Sequence, residues 1–253
     1  MRTKLVVGNW KMNCGIEETK ILLESILKNY NGANLNNLLQ VCVCPSFTSL
    51  STAFKILESN TIALGAQDVS INDNGAFTGE VSIAMLKELD CQFVIVGHSE
   101  RRMYFKESDE LINKKVKKIL ENNLTPIICV GETLEQKENN QTKEVIKKQI
   151  HGVTNNLSNE DLLKIVIAYE PVWAIGTGKN ATPDQAEEVH LFIRKLLTLK
   201  STINVSESIS IIYGGSVKPE NSKQLVAMEN IDGFLVGGAS LKSNLFLEII
   251  HSF

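Results

Sequence analysis

The sequence predicts an α/β chain folded as a single (β/α)8 barrel over residues 1–253. Three observations carry that prediction. Eight short apolar runs recur at intervals of roughly 20 to 40 residues, the repeat of a strand–helix unit. Amphipathic stretches at helical spacing lie between them. No Pro/Ser-rich tract and no charged tail divides the 253 residues, a length that one large α/β domain can use completely. An open doubly wound sheet is the runner-up, but no GxGxxG follows the first apolar run.

The eight runs are residues 5–7, 41–44, 61–65, 93–96, 126–130, 165–168, 209–213 and 233–236. They are continuous rather than alternating, the mark of strands buried on both faces. After the first run, residues 16–27 place Ile21, Leu22, Ile26 and Leu27 on one helical face. The Asn-rich 34–37 reads as a polar turn before the second strand. Residues 111–120 set Leu111, Ile112, Val116, Ile119 and Leu120 against a lysine face. Residues 186–199 repeat the pattern after Thr182, which can cap a helix beginning at Pro183. The last stretch, 241–250, is apolar and helical.

Composition narrows the function. The chain is 43% hydrophobic and 22% charged, with a net charge of −3. That balance argues against a nucleic-acid partner, which calls for a basic stripe. No apolar run approaches the ~18 to 20 residues that span a bilayer, so no membrane partner is expected. The N-terminal apolar segment is short and interrupted by Asn9 and Lys11, unlike a secretory signal, and a cytoplasmic location is expected. Five scattered cysteines do not read as a disulfide frame. Cys42 and Cys44 share one strand face without a second ligand pair, which predicts packed thiols rather than a metal site.

A barrel of this kind carries its active site at the C-terminal ends of its strands. Asn9 and Lys11 follow the first run, His98, Ser99 and Glu100 the fourth, and Glu170 the sixth. Pro171 then stops sheet pairing, having no backbone N–H. Each of these is weak alone, because such residues are common on surfaces. Together they supply a base, an electrophile and a cation, the set that proton abstraction beside a carbonyl requires. Glu170 would take a carbon-bound proton, His98 would polarise the carbonyl, and Lys11 would stabilise the growing charge. Ser99-Glu100 is expected to open a helix, whose positive end disfavours an imidazolium. His98 should therefore act neutral, with a pKa below its ordinary value. Glu100 is expected to anchor Lys11 by an ion pair.

The last two strand ends are Gly-rich: Tyr213-Gly214-Gly215-Ser216 and Val236-Gly237-Gly238-Ala239-Ser240, the second opening directly onto the 241–250 helix. Glycines let backbone N–H groups converge on an anion, and a phosphate site after strands seven and eight recurs in this fold. After Glu170, an exposed-looking apolar string, Val172-Trp173-Ala174-Ile175, leads into Gly176-Thr177-Gly178 and reads as a flap over the carboxylate. Gly178-Lys179 is no Walker loop, since Trp173 and Asn180 stand where that motif needs Gly and Ser or Thr.

These residues belong to longer strings: GNWKMN at 8–13, GAQD with GAFTGE within 65–80, VGHSERR at 96–102, PIICVGETL at 126–134, AYEPVWAIGTGK at 168–179, IIYGGSV at 211–217 and DGFLVGGASL at 232–241. On them the chain resembles the triosephosphate isomerase family over essentially its whole length. The resemblance implies the TIM barrel and interconversion of dihydroxyacetone phosphate and glyceraldehyde 3-phosphate through an enediol(ate), in glycolysis and gluconeogenesis. It implies no metal and no organic cofactor. It matches Glu170 to the proton-shuttling base, His98 to the electrophile, and Asn9 and Lys11 to substrate contacts. Gly176, Ser216, Gly237 and Gly238 match the phosphate-binding backbone positions, and 171–181 the closing lid that this family is known for. It also implies a homodimer, in which the loop 67–78 enters the neighbouring subunit beside its Asn9–Lys11 loop.

Ile83, Met103 and Asn180 stand at positions where the family also uses other residues, and Asn180 falls in the trailing hinge of the lid. Two alternatives remain open. Another phosphate-gripping barrel isomerase would explain the glycine turns but not the Lys11, His98 and Glu170 set. A catalytically silent sugar-phosphate scaffold would be expected to have lost one of the three.

Overall fold

The computed structural model describes residues 2–30, 39–174 and 181–253. Eight parallel strands close a barrel in sequence order: β1 (Lys4–Asn9), β2 (Leu39–Cys44), β3 (Ala63–Ala66), β4 (Cys91–Val96), β5 (Thr125–Val130), β6 (Val166–Tyr169), β7 (Ser210–Tyr213) and β8 (Gly233–Val236). β1 pairs with both β2 and β8, which closes the ring and excludes the open sheet. Each strand falls on one of the eight apolar runs.

The runs are continuous because both strand faces are covered. Alternate side chains point into the barrel and out toward the helices. Leu5, Val7, Ile95, Ile127, Ile212 and Leu235 form one buried cluster. Their neighbours Val6, Val94, Val96, Ile128, Ile211 and Phe234 belong to a second, which includes the helices. Cys42 and Cys44 are free, buried thiols 3.9 Å apart, packed as expected.

The helices follow the predicted stretches, with two differences of face. In Ile16–Asn29 the buried residues are Thr19, Leu22, Leu23 and Ile26, spaced at i, i+3, i+4 and i+7. Ile21 lies off that stripe and is exposed. In Asp109–Glu121 the lysine face is not wholly solvated. Lys115 is buried, its Nζ 2.6 Å from Asp68 and 2.7 Å from Glu107, because two carboxylates compensate its charge. Pro183–Lys200 starts as predicted: Thr182 Oγ1 accepts the Gln185 N–H at 3.2 Å, and Gln185 Oε1 accepts the Thr182 N–H at 3.1 Å. After β8 the chain does not enter an α-helix directly. A short 3-10 turn, Gly238–Leu241, comes first, and the α-helix is Ser243–Ile250. Among the described residues no helix is long and apolar enough to cross a membrane.

Candidate active site

The chain turns sharply after β1, and Lys11 adopts the left-handed region at φ 52°. Such a conformation persists in a non-glycine residue only where its surroundings enforce it. Three contacts do so. Asn9 Oδ1 accepts the Lys11 N–H at 3.1 Å. Gln67 Nε2 donates to the Lys11 carbonyl at 2.8 Å. Lys11 Nζ reaches Glu100 Oε1 at 2.6 Å, the ion pair the sequence led us to expect. Gln67 also donates to the Cys44 carbonyl at 2.9 Å, tying the end of β2 to the Lys11 turn. Its support of Lys11 was not legible in the sequence beyond its place in the GAQD string.

His98 follows β4 and caps the helix Ser99–Tyr104, where its Nδ1 accepts the Glu100 N–H at 3.2 Å. Nδ1 therefore offers a lone pair, and a neutral ring carries its proton on Nε2. Nε2 lies 3.0 Å from Glu170 Oε1. Glu170 follows β6, and its other oxygen accepts the Ser99 N–H at 2.9 Å. The carboxylate is only 2% exposed. Burial pushes its pKa up, but His98, the Ser99 N–H and Lys11 outweigh burial and hold it below the ordinary carboxylate value.

The same contact corrects the expectation for His98. Burial lowers its pKa, but the Glu170 charge more than offsets this, so the net shift is upward from 6.5. A carboxylate at 3.0 Å attracts a proton more strongly than the end of a six-residue helix repels it. The upward shift belongs to this arrangement of the pair. If Glu170 turns away, burial, the Lys11 charge and the Glu100 N–H favour the neutral ring, against the Glu100 carboxylate 3.5 Å from Nδ1.

β7 runs into Gly214-Gly215-Ser216. A Cβ on Gly214 would lie 2.9 Å from Cγ of Glu170 and 3.3 Å from the Tyr169 carbonyl, so a glycine is needed for so close an approach. Asn221 Nδ2 donates to the Ser216 carbonyl at 2.9 Å and steadies the turn. Asn9, Lys11, His98, Glu170, Ser216, Gly237 and Gly238 all line one cavity of about 350 Å³ at the C-terminal end of the strands. Leu235 adds an apolar side chain to its lining. A larger cavity of about 570 Å³ opens at the opposite end, around Thr3, Gln40 and Ser210, and contains none of these groups. Gly176 lies outside the described residues, as do residues 175 and 177–180 of the flap.

The root of the flap differs from its exposed-looking sequence. Trp173 and Ala174 are buried. Trp173 Nε1 donates to Glu132 Oε1 at 2.8 Å, the Tyr169 hydroxyl donates to the same carboxylate at 3.1 Å, and Lys137 Nζ stands 3.0 Å from the Trp173 ring centroid. Burial raises the pKa of Glu132, against the pull of these donors. Glu132 stands in the PIICVGETL string, but only the fold shows what it touches. Among the described residues no group of three or more His, Cys, Asp or Glu side chains is placed to hold a metal ion.

Known proteins match this sequence over nearly its whole length. The family model described as triosephosphate isomerase matches residues 4–253. A triosephosphate isomerase from Herminiimonas arsenicoxydans is 52% identical over 252 residues, covering 100% of both chains. One from Alkaliphilus metalliredigens (strain QYMF) is 50% identical over 99% of this chain and 100% of its own. One from Chloroherpeton thalassium is 48% identical over 100% of this chain and 99% of its own. The chain belongs to the triosephosphate isomerase family.

Proposed function

We infer that this member of the family interconverts dihydroxyacetone phosphate and D-glyceraldehyde 3-phosphate, as an aldose–ketose isomerase working through an enediol(ate). The observation that carries the residue roles is the convergence of Glu170, His98 and Lys11 on one cavity beside two glycine-rich turns.

The phosphate would sit against the backbone of Ser216, Gly237 and Gly238, with Gly176 closing over it. Backbone N–H groups suit an anion because they need no counter-charge on a side chain. The substrate carbonyl would then face His98 Nε2 and Lys11 Nζ. Glu170 leaves the Ser99 N–H and takes a proton from C1 of the ketone. The C1–H electron pair becomes the enediolate double bond, and negative charge collects on the C2 oxygen. His98 Nε2–H donates to that oxygen, and Lys11 stabilises it. Moving a proton between the two oxygens and returning one to C2 from Glu170 gives the aldehyde, so atoms balance without an added oxidant or reductant. Asn9 fixes the Lys11 turn and faces the same cavity.

We place the protein in glycolysis and gluconeogenesis in the cytoplasm, and as a homodimer. Two observations support the dimer. Met12, next to Lys11, is 96% exposed, and Phe77 of the loop 67–78 is 46% exposed. Large apolar side chains left in water beside a site point to a covering surface. A coupled assay of triose phosphate turnover tests the activity, and Glu170→Ala tests the base. A positioned base contributes ~10²- to 10⁴-fold, so retention of turnover within about threefold would remove Glu170 from that role.

A further inference from the structure

His190, in Pro183–Lys200, is fully buried and has no part in the chemistry above. Its Nδ1 lies 3.1 Å from the Asn230 carbonyl, so that nitrogen carries a proton and donates it. Among the described residues Nε2 has no hydrogen-bond partner. The ring sits beside a buried polar network, in which Arg194 donates to Asn230 Oδ1 at 2.7 Å and to Asp232 at 2.8 Å. What the ring touches suggests its use. It stands edge-on to Tyr169, with centroids 5.8 Å apart and planes at 83°. It lies 6.3 Å from the Tyr213 ring at 42°. The two tyrosines are themselves 6.4 Å apart, so the three rings form a closed triangle behind β6 and β7.

Both tyrosines are the last residues of their strands and face each other in register. Glu170 follows Tyr169, and Gly214 follows Tyr213. The Gly214 N–H donates to the Tyr169 carbonyl at 2.7 Å, which couples the two strand ends directly. Asn230, which pins the ring of His190, is also held by Glu187 from the same helix, through 3.0 Å and 2.6 Å bonds. The imidazole is thus fixed on one side by a donated hydrogen bond and bears on both strand ends with the other.

We infer that His190 is a positioning residue: its pinned ring sets the spacing of Tyr169 and Tyr213, and through them the distance from the Glu170 carboxylate to the Gly214-Gly215-Ser216 turn. This rests on the roles proposed above for Glu170 and the turn. Base and phosphate grip must hold one small substrate at a fixed separation, so a shift between them damages the proton transfer while leaving the grip itself built.

Two substitutions separate the ring from its hydrogen bond. His190→Asn can keep the donor to Asn230 but removes the ring, and His190→Phe keeps a ring but loses the donor. If the ring sets the spacing, His190→Asn lowers kcat by ~10- to 100-fold, since misplacement by about 1 Å costs up to that much. KM, and inhibition by inorganic phosphate, stay within about threefold, the pattern of an interaction lost in the transition state rather than in binding. His190→Phe recovers most of the turnover, whatever the change in melting temperature. Equal kcat per folded site in wild type and His190→Asn overturns the inference, as does a loss in His190→Phe as deep as in His190→Asn. Failure of both His190→Asn and His190→Gln to fold assigns the residue to the core alone and overturns it too. A wild-type protein without isomerase activity would instead remove the reading on which the inference rests.

Discussion

Gly214→Ala tests the packing around the proposed base without replacing any ionisable residue. The added Cβ would lie 2.9 Å from Cγ of Glu170 and 3.3 Å from the Tyr169 carbonyl oxygen. Carbon atoms rest about 3.5–4.0 Å apart, so something must move by roughly 0.6–1 Å. The backbone side is stiff, because the Gly214 N–H is bonded to that same carbonyl at 2.7 Å. The Glu170 stem is the softer side. It can retreat only by straining its 2.9 Å bond to the Ser99 N–H and its 3.0 Å contact with His98. A displacement of about 1 Å at a reacting group costs on the order of 10²-fold in rate, which is ~2.7 kcal/mol of transition-state stabilisation. The backbone conformation at Gly214 is open to alanine, so the stability loss should be that of ordinary overpacking, ~1–3 kcal/mol. The assay is steady-state turnover in both directions, with thermal melts to count folded protein. We expect kcat to fall about 100-fold while KM changes little, since the substitution strikes the base rather than the grip. A folded variant with kcat within about threefold of wild type would refute the reasoning, because the contact would then be absorbed at no cost to the base.

Further expectations follow from the same geometry. In the free protein, nitrogen-15 NMR should show His98 titrating above its ordinary pKa of roughly 6.5, and Glu170→Gln should bring it below; no change on that substitution would separate the two groups. Glu132→Ala leaves the Tyr169 hydroxyl and the Trp173 indole N–H without their shared acceptor, a cost of about 1–3 kcal/mol for buried groups, with a shift in Trp173 emission; unchanged melting and emission would deny Glu132 this role. Burial pushes His190 down to about 4, so between its unfolded value of roughly 6.5 and about pH 4 the unfolded chain binds more protons. Stability on the order of 3 kcal/mol is therefore lost as pH falls through that window and is fully present above it. His190→Phe should flatten the corresponding part of a urea-melt series run from pH 7 to pH 4.5. Finally, Thr78→Arg with Ala76→Glu should separate the proposed dimer and lower activity; sedimentation showing an intact dimer would move the interface away from the loop 67–78.

The apolar pattern is enough to specify the barrel, because burial on both faces writes each strand as an unbroken apolar run, and eight such runs appear. It also placed Lys11, His98 and Glu170 at strand ends, since the fold puts its working residues there. Local rules gave the Thr182 cap, which depends on residue types at fixed offsets, while the Lys11–Glu100 pair follows from complementary charges that the barrel places on one rim. Other features depend on contacts between distant segments and emerge only in the folded chain. Gln67 steadies Lys11 across 56 residues, and Lys115 is buried because Asp68 and Glu107 converge on it. The sign of the His98 shift lies beyond the sequence for the same reason. The helix end beside it is local and visible in sequence, but the carboxylate that outweighs it comes from 72 positions away and is brought to 3.0 Å only by closing the barrel. Periodicity records which side chains are buried, but it carries no information about which distant partner each will meet.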